Sequence, residues 1–427
     1  MSVVTSSFSL LAKKSAETFG MPGLPIVAIP HPLGGISADE ARSKARSAIE
    51  EIVAKAAMRS GADEQEKPER DRILVAGSAE EVTAAFYRNG WTDGLPIVPP
   101  TRDAVREMLT GTDLPSGHAL GVMPPGNGRV TVEKIAINAV MAGCRPTYLP
   151  VLIAAIDGLL ENDFNLASVQ CSTGAHSPLL IINGPIRDQI RVNYSSGAMG
   201  HGWQANATIG RAIRFILMNI GGARIGTSDM TTLGMAENFT YCFAENEEQN
   251  PWMPFHVEQG FGAEDSTVSV MGAYSPEHVS DHVGIEPEEI LAVAADAISR
   301  ITRFHLPAIE PIFSRESILV LCPEHAQSVA RAGWTKKDIQ KFVFERSAMP
   351  YDKLKALRRS LDPSRLIASP EGQKVSMFER PDALKVIVAG GPGKHSAYIN
   401  SGHSKRILTR KLAFPANWEE LVARYKE

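Results

Sequence analysis

The chain has 427 residues, 44% hydrophobic and 22% charged, with 48 acidic against 44 basic side chains. A net charge of −4 excludes a broad electrostatic footprint for nucleic acid, and the absence of any run of about 18 apolar residues excludes a membrane-spanning helix. The length points to more than one domain. The N-terminus is weakly apolar and shows no small-residue cleavage pattern, and the four cysteines show neither C-x-x-C nor zinc-finger spacing, so reduced thiols and a cytoplasmic location are expected.

Residues 1–58 read as a small α/β unit. Ser2 to Thr5 suits a short strand, and Phe8 to Phe19 has helical spacing. Leu24 to Ile29 is a continuous apolar run that suits a buried parallel strand. Ser37 with Glu40 forms a capping box for a helix to about Met58, with Ala45, Ile49, Ile52 and Val53 on one face. Two parallel strands do not make an independently stable sheet. The unit therefore docks on the rest of the chain or is completed by another polypeptide. Residues 59–77 are charged and almost devoid of large apolar side chains, which suits a solvated linker.

Residues 78–427 read as the main domain, with a further division near 305–316. Helices interleave with short apolar strands, which argues for an α/β (or α+β) class with a mixed sheet. Ser78 with Glu81, Thr101, Thr131 and Thr335 are helix caps. The runs at Leu179–Ile182, Thr267–Gly272, Ser317–Cys322 and Leu384–Ala389 are strands. Residues 121–128 and 390–402 read as glycine-rich loops. The second of these is not a P-loop, because Val388 stands where that motif needs glycine.

The bend from Gly143 to Pro146 joins two apolar helices and places Cys144 and Arg145 between a helix end and a helix start. Such a position lowers a thiol pKa and favours anions. Cys144 is thus a candidate nucleophile or redox thiol, or else a small core residue. Arg145 is a candidate for orienting a carboxylate. Ser172, Thr173 and His176 lie in the turn leading to the next strand. Glu245 and Asn246 follow a short strand at Phe239–Phe243, where acids serve proton transfer, metal binding or a plain solvated turn. Lys394, His395 and Ser396 follow the last apolar strand, at the edge where α/β sites sit. The catalytic candidates are therefore Cys144, His176, Glu245 and His395. The substrate-binding candidates are Arg145, Ser172, Thr173, Asn246, Lys394 and Ser396.

The run FGMPGLPIVAIPHPLGGISADEARSKARSAIEEIVA, residues 19–54, resembles the C-terminal end of the UGSC-motif family, small selenoproteins and their cysteine homologues. The resemblance implies a partial flavodoxin-like unit. The family's motif, Sec or Cys before Gly-Ser-Cys, lies upstream of the part matched, and no Gly-Ser-Cys occurs in the chain. It implies a small UGSC-motif partner subunit supplying strands and a reactive thiol or selenol, or else a misplaced start or a remnant. The runs WTDGLPIVPPT, AINAVMAGCRP, ANATIGRA and FAENEE resemble the larger region associated with that unit.

Three functions remain open. One is an enzyme subunit using thiol-dependent or acid/base chemistry on a small polar or anionic substrate, as a lyase, a hydratase or a thiol oxidoreductase. Another is a non-catalytic large subunit completing the site of a thiol or selenol partner, within an oligomer. The third is a metal-dependent lyase or hydrolase with ligands from His176, His201, Glu245, His256 and His395, for which no compact motif exists. No cofactor and no metal are expected for the first.

Overall fold

A computed structural model describes residues 1–56, 75–302, 316–357 and 374–426. The expected linker, apart from residues 75–77, and the expected division near 305–316, apart from residue 316, lie outside them. No described helix is long and apolar enough to cross a membrane.

The N-terminal unit consists of β1 (Ser2–Thr5), α1 (Ser9–Thr18), β2 (Ile26–Ile29) and α2 (Ala38–Ala56). The two strands pair in parallel, Ser2 opposite Ile26 and Thr5 opposite Ile29. The Ser37 Oγ accepts the Glu40 N–H at 3.2 Å and starts α2. Val27, Ile29 and Ala48 form the buried cluster, with Ile52 against it. Ile49 and Val53, expected on the buried face, are 52% and 63% exposed. Two strands offer a surface too narrow to cover a full apolar stripe of α2.

In the main domain α3 (Ala79–Arg88) and α4 (Arg102–Met108) start at the expected caps, and Ser78 and Glu81 complete both halves of the capping box. The loop expected at 121–128 is a hairpin of β3 (Ala119–Met123) and β4 (Gly128–Thr131). Pro124 and Pro125 fall in its turn, where no ladder N–H is required. α5 (Val132–Ala142) ends at Gly143 with φ 88°, a left-handed conformation that glycine adopts at little cost. α6 (Leu149–Leu160) is buried almost all round, as its apolar sequence requires, and α7 (Leu166–Cys171) follows.

The remaining strands are β5 (Ser177–Asn183), β6 (Cys242–Ala244), β7 (Thr267–Ala273), β8 (Glu277–Ser280), β9 (Ser317–Leu321), β10 (Met349–Pro350), β11 (Lys374–Val375), β12 (Leu384–Val388), β13 (His395–Ile399) and β14 (Leu408–Lys411). Between them run α8 (Ile186–Gln189), α9 (Gln204–Asn219), α10 (Phe255–Glu258), α11 (Pro287–Thr302), α12 (Pro323–Arg331), α13 (Lys336–Ser347) and α14 (Tyr351–Leu357), and α15 (Trp418–Tyr425) comes last. Apart from the short pairs, the strands form two mixed four-stranded sheets, ordered β14-β7-β5-β6 and β12-β9-β13-β8. The residues after 394, expected as loop, supply β13. This strand is internal to its sheet, bonded to both β9 and β8.

Alternate residues of the central strands go to different cores. Leu180 and Ile182 of β5 join the cluster built on α5, α6 and α9. Leu319 and Leu321 of β9 join the one built on α11 and α13. Leu179, Ile181, Ile318, Val320, Ile387 and Ile399 meet each other in a third cluster between the two sheets. The main domain is thus four layers, with helices outside and two sheets face to face. This explains why its strands read as unbroken apolar runs. The sheets share one pairing pattern, a parallel pair followed by two antiparallel ones. Just past the C-terminal ends of the parallel strands the sheets are stitched together, the Asn246 N–H donating to the Val388 carbonyl at 2.7 Å. Loops at such strand ends are where α/β folds place ligands.

Candidate active site

The expected catalytic residues have separate surroundings. Cys144 lies at the α5–α6 bend, and its Sγ donates to the Thr208 carbonyl at 3.2 Å. Burial pushes this thiol up to about 12, against the smaller effects of Thr208 and Arg211. His176 is buried at the start of β5, edge-on to Tyr274 and His403 with ring centroids 4.4 and 4.6 Å away. A Cβ at Gly402 would collide with its ring. Ser172 reaches the same corner, with Oγ 3.1 Å from His403 Nε2, and the Thr173 carbonyl accepts from Thr232. Arg145 donates to the Tyr425 carbonyl at 2.8 Å.

Glu245 is fully buried and accepts from Asn183 Nδ2, Asn250 Nδ2 and the Phe255 N–H at 2.6, 2.9 and 2.8 Å. Burial, with a smaller push from Glu247, raises its carboxyl pKa, opposed by Lys336, the Phe255 N–H and Asn183. Its oxygens hold the 245–255 loop in place. Beside it Arg187 binds Glu248 through both terminal nitrogens at 3.1 and 2.8 Å. His395 stacks on His278, centroids 4.8 Å apart, and meets His282 edge-on at 4.7 Å.

Asn246 and Lys394 line one cavity, and Ser396 contacts a thiol near its wall that the sequence did not single out. Cys322 leaves β9 and is the N-cap of α12. His325 lies three residues on, in the first turn. Ser396 of β13 faces both: its Oγ is 2.8 Å from His325 Nδ1, accepts the Cys322 N–H at 3.0 Å, and lies 3.6 Å from Cys322 Sγ. His325 Nε2 is 2.9 Å from the Asp281 carbonyl. A carbonyl only accepts, so Nε2 carries a hydrogen and Nδ1 is the nitrogen that exchanges a proton. All three side chains are buried, at 2, 0 and 3% exposure for Cys322, His325 and Ser396.

The electrostatics follow from this geometry. Burial alone would raise the Cys322 thiol, but the His325 side chain, the His325 N–H and the Ser396 hydroxyl outweigh it and bring the thiol below 9.0. Burial would likewise lower His325, yet Cys322 and the Asp281 carbonyl raise it above 6.5. Both shifts run in the direction of a thiolate–imidazolium pair, as does the helix start. Both proton states are satisfied. With the thiolate, Nδ1–H donates to Ser396 Oγ and the hydroxyl donates to Sγ. With the thiol, the hydroxyl turns to Nδ1. Cys171, raised to about 11 by burial and then by Asp229, and Cys242, raised by burial and then by Cys144, have no such partner.

A cavity of about 590 Å³ begins at the residue after Cys322, while Cys322, His325 and Ser396 themselves lie behind its wall and do not line it. Pro323, Glu324, Gln327, Ser328 and Arg331 line it from α12, Gly390, Gly391 and Lys394 from the β12–β13 turn, and Asn246 from the other sheet. Gly391 packs so closely on Ser196 that a Cβ would lie 2.9 Å from the Ser196 Cα. The Asn246 side chain donates to the Gly390 carbonyl at 3.2 Å. Among the described residues, no three His, Cys, Asp or Glu side chains converge to hold a metal ion. The signal for this site was present as Cys-Pro-Glu-His directly after a buried strand, a thiol at an N-cap with an imidazole three residues on.

No curated protein and no solved structure matches the chain. Residues 1–57 match the model of the UGSC family, a segment that ends with the N-terminal α/β unit and leaves the Cys322 site outside it.

Proposed function

We propose that the chain is an enzyme subunit acting by thiol-dependent chemistry on a small polar or anionic substrate. Cys322 is the nucleophile and His325 its acid/base partner. The thiolate attacks an electrophilic carbon and forms an S–C bond. The electron pair displaced goes to the leaving group, and the proton held on His325 Nδ1 follows it. The observation that carries this reading is the Cys322–Ser396–His325 constellation at the start of α12, whose next residues, Pro323 and Glu324, line a cavity at the sheet seam. The test is alkylation of the folded chain with limiting iodoacetamide at pH 7, each cysteine followed by mass spectrometry. Cys322 is expected to react first. If it stays unmodified while Cys144 or Cys171 reacts, the proposal is wrong.

A second reading rests on the N-terminal unit. Its two-stranded sheet and three-residue core leave Val3, Ile49 and Val53 exposed. A small partner subunit adding strands to this sheet would cover them. Amide exchange on the purified chain tests it: strong protection of β1 and β2 without any partner would count against such a subunit.

A further inference from the structure

The cavity wall formed by α12 is polarised along its length. Glu324, Gln327, Ser328 and Arg331 recur at helical spacing on the lined face. At 1.5 Å per residue, the levels of Glu324 and Arg331 are about 10 Å apart. The end near Cys322 carries offsetting charges. Glu324 Oε1 accepts the Gly393 N–H at 2.8 Å, and the next residue, Lys394, places its Nζ 3.3 Å from the His282 carbonyl and 3.5 Å from that of Gly284. The far end carries a guanidinium. Arg331 donates to Ser328 Oγ at 3.4 Å, and Glu324 is the one acid among the described lining residues. Between the ends lie amides and hydroxyls, from Gln327, Ser328, Gln249 and Asn246.

We infer that the cavity takes an elongated organic anion, its carboxylate or other oxyanion at Arg331 and its electrophilic carbon at Cys322. This rests on the proposed role of Cys322 and adds the class and direction of the substrate. The charges set the direction: at the thiol end Glu324 and Lys394 offset one another, whereas at the far end an anionic group meets a guanidinium, unopposed among the described lining residues and able to bind it through two hydrogen bonds. Polar groups in the middle of the molecule are read by the two glutamines, Asn246 and Ser328.

The experiment compares two thiol probes of equal length on the full chain at low ionic strength, 6-maleimidohexanoate and its neutral counterpart N-hexylmaleimide. The rate of adduct formation at Cys322 is followed by mass spectrometry. The acid is expected to react about fivefold faster, the scale of one unit-charge interaction at a partly solvated site. Arg331→Gln, an exposed change, is expected to abolish that advantage, bringing the ratio of the two rates to about one. Equal rates in the unaltered chain, or an advantage that survives Arg331→Gln, would overturn the inference while leaving the thiol proposal standing. If neither probe reaches Cys322, the thiol proposal fails and this inference fails with it.

Discussion

Replacing His325 gives the sharpest check on how Cys322 is activated. The other thiols serve for comparison: burial, against smaller effects of Thr208 and Arg211, takes Cys144 to about 12, and burial together with Asp229 takes Cys171 to about 11. Cys322 is also buried, yet lies below 9.0. Removing the imidazole in His325→Ala is expected to raise the Cys322 thiol towards those two. A hydrogen bond to a charged group is worth about 1.5–3 kcal/mol, which lowers the thiolate share at pH 7 by about 10- to 100-fold. Because a more basic thiolate is intrinsically more reactive, the alkylation rate falls less, about three- to tenfold. The assay is the iodoacetamide rate at Cys322 from pH 5 to 10. His325→Gln serves as a second variant, because its amide can still bond Asp281 and Ser396. The sign is fixed: with the imidazole the rate persists to lower pH, and without it the profile moves to higher pH. An unchanged midpoint in a variant that melts normally would refute the mechanism.

Two further outcomes concern the frame around the site. Glu245→Gln places an amide N–H₂ among three donors, so a loss of about 2–3 kcal/mol in denaturant stability is expected. Because the folded Glu245 pKa is raised, its contribution is full below 4.5 and is lost as pH rises through the folded value, so the gap between the two proteins is expected to shrink with rising pH. A gap that widens would contradict this. Asp229→Ala strips the partner from Arg214, a buried pair at 2.9 Å, and is expected to cost about 3–5 kcal/mol in the same measurement. A loss under about 1 kcal/mol would show that water replaces the carboxylate there.

Helix starts were legible because capping is local. Ser78, Thr101, Thr131 and Thr335 each act within three residues. Strands buried on both faces were legible as apolar runs. The β3–β4 hairpin was not, because glycine and proline crowd its turn, and β8 and β13 were not, because they are short and partly polar and strands distant in sequence supply their partners. The same distance decides the thiols. Cys144 looked activated by the turn around it, but the atom that meets its sulfur is 64 residues away. Cys322 looked like the plain end of a strand, and the serine that orders it is 74 residues away. Asn246 and Lys394 line one cavity, whereas Ser396, expected in a loop, lies within β13, and the thiol it contacts was not recognised.

The seam between the sheets has a practical corollary. Asn246 belongs to one half of the sandwich and grips Val388 and Gly390 of the other, so the chamber exists only while the halves stay aligned. Small slippage there would disassemble the walls before any helix melts. A chemical tag on a single sulfur thus becomes a gauge of how well the two halves of the molecule are keyed together.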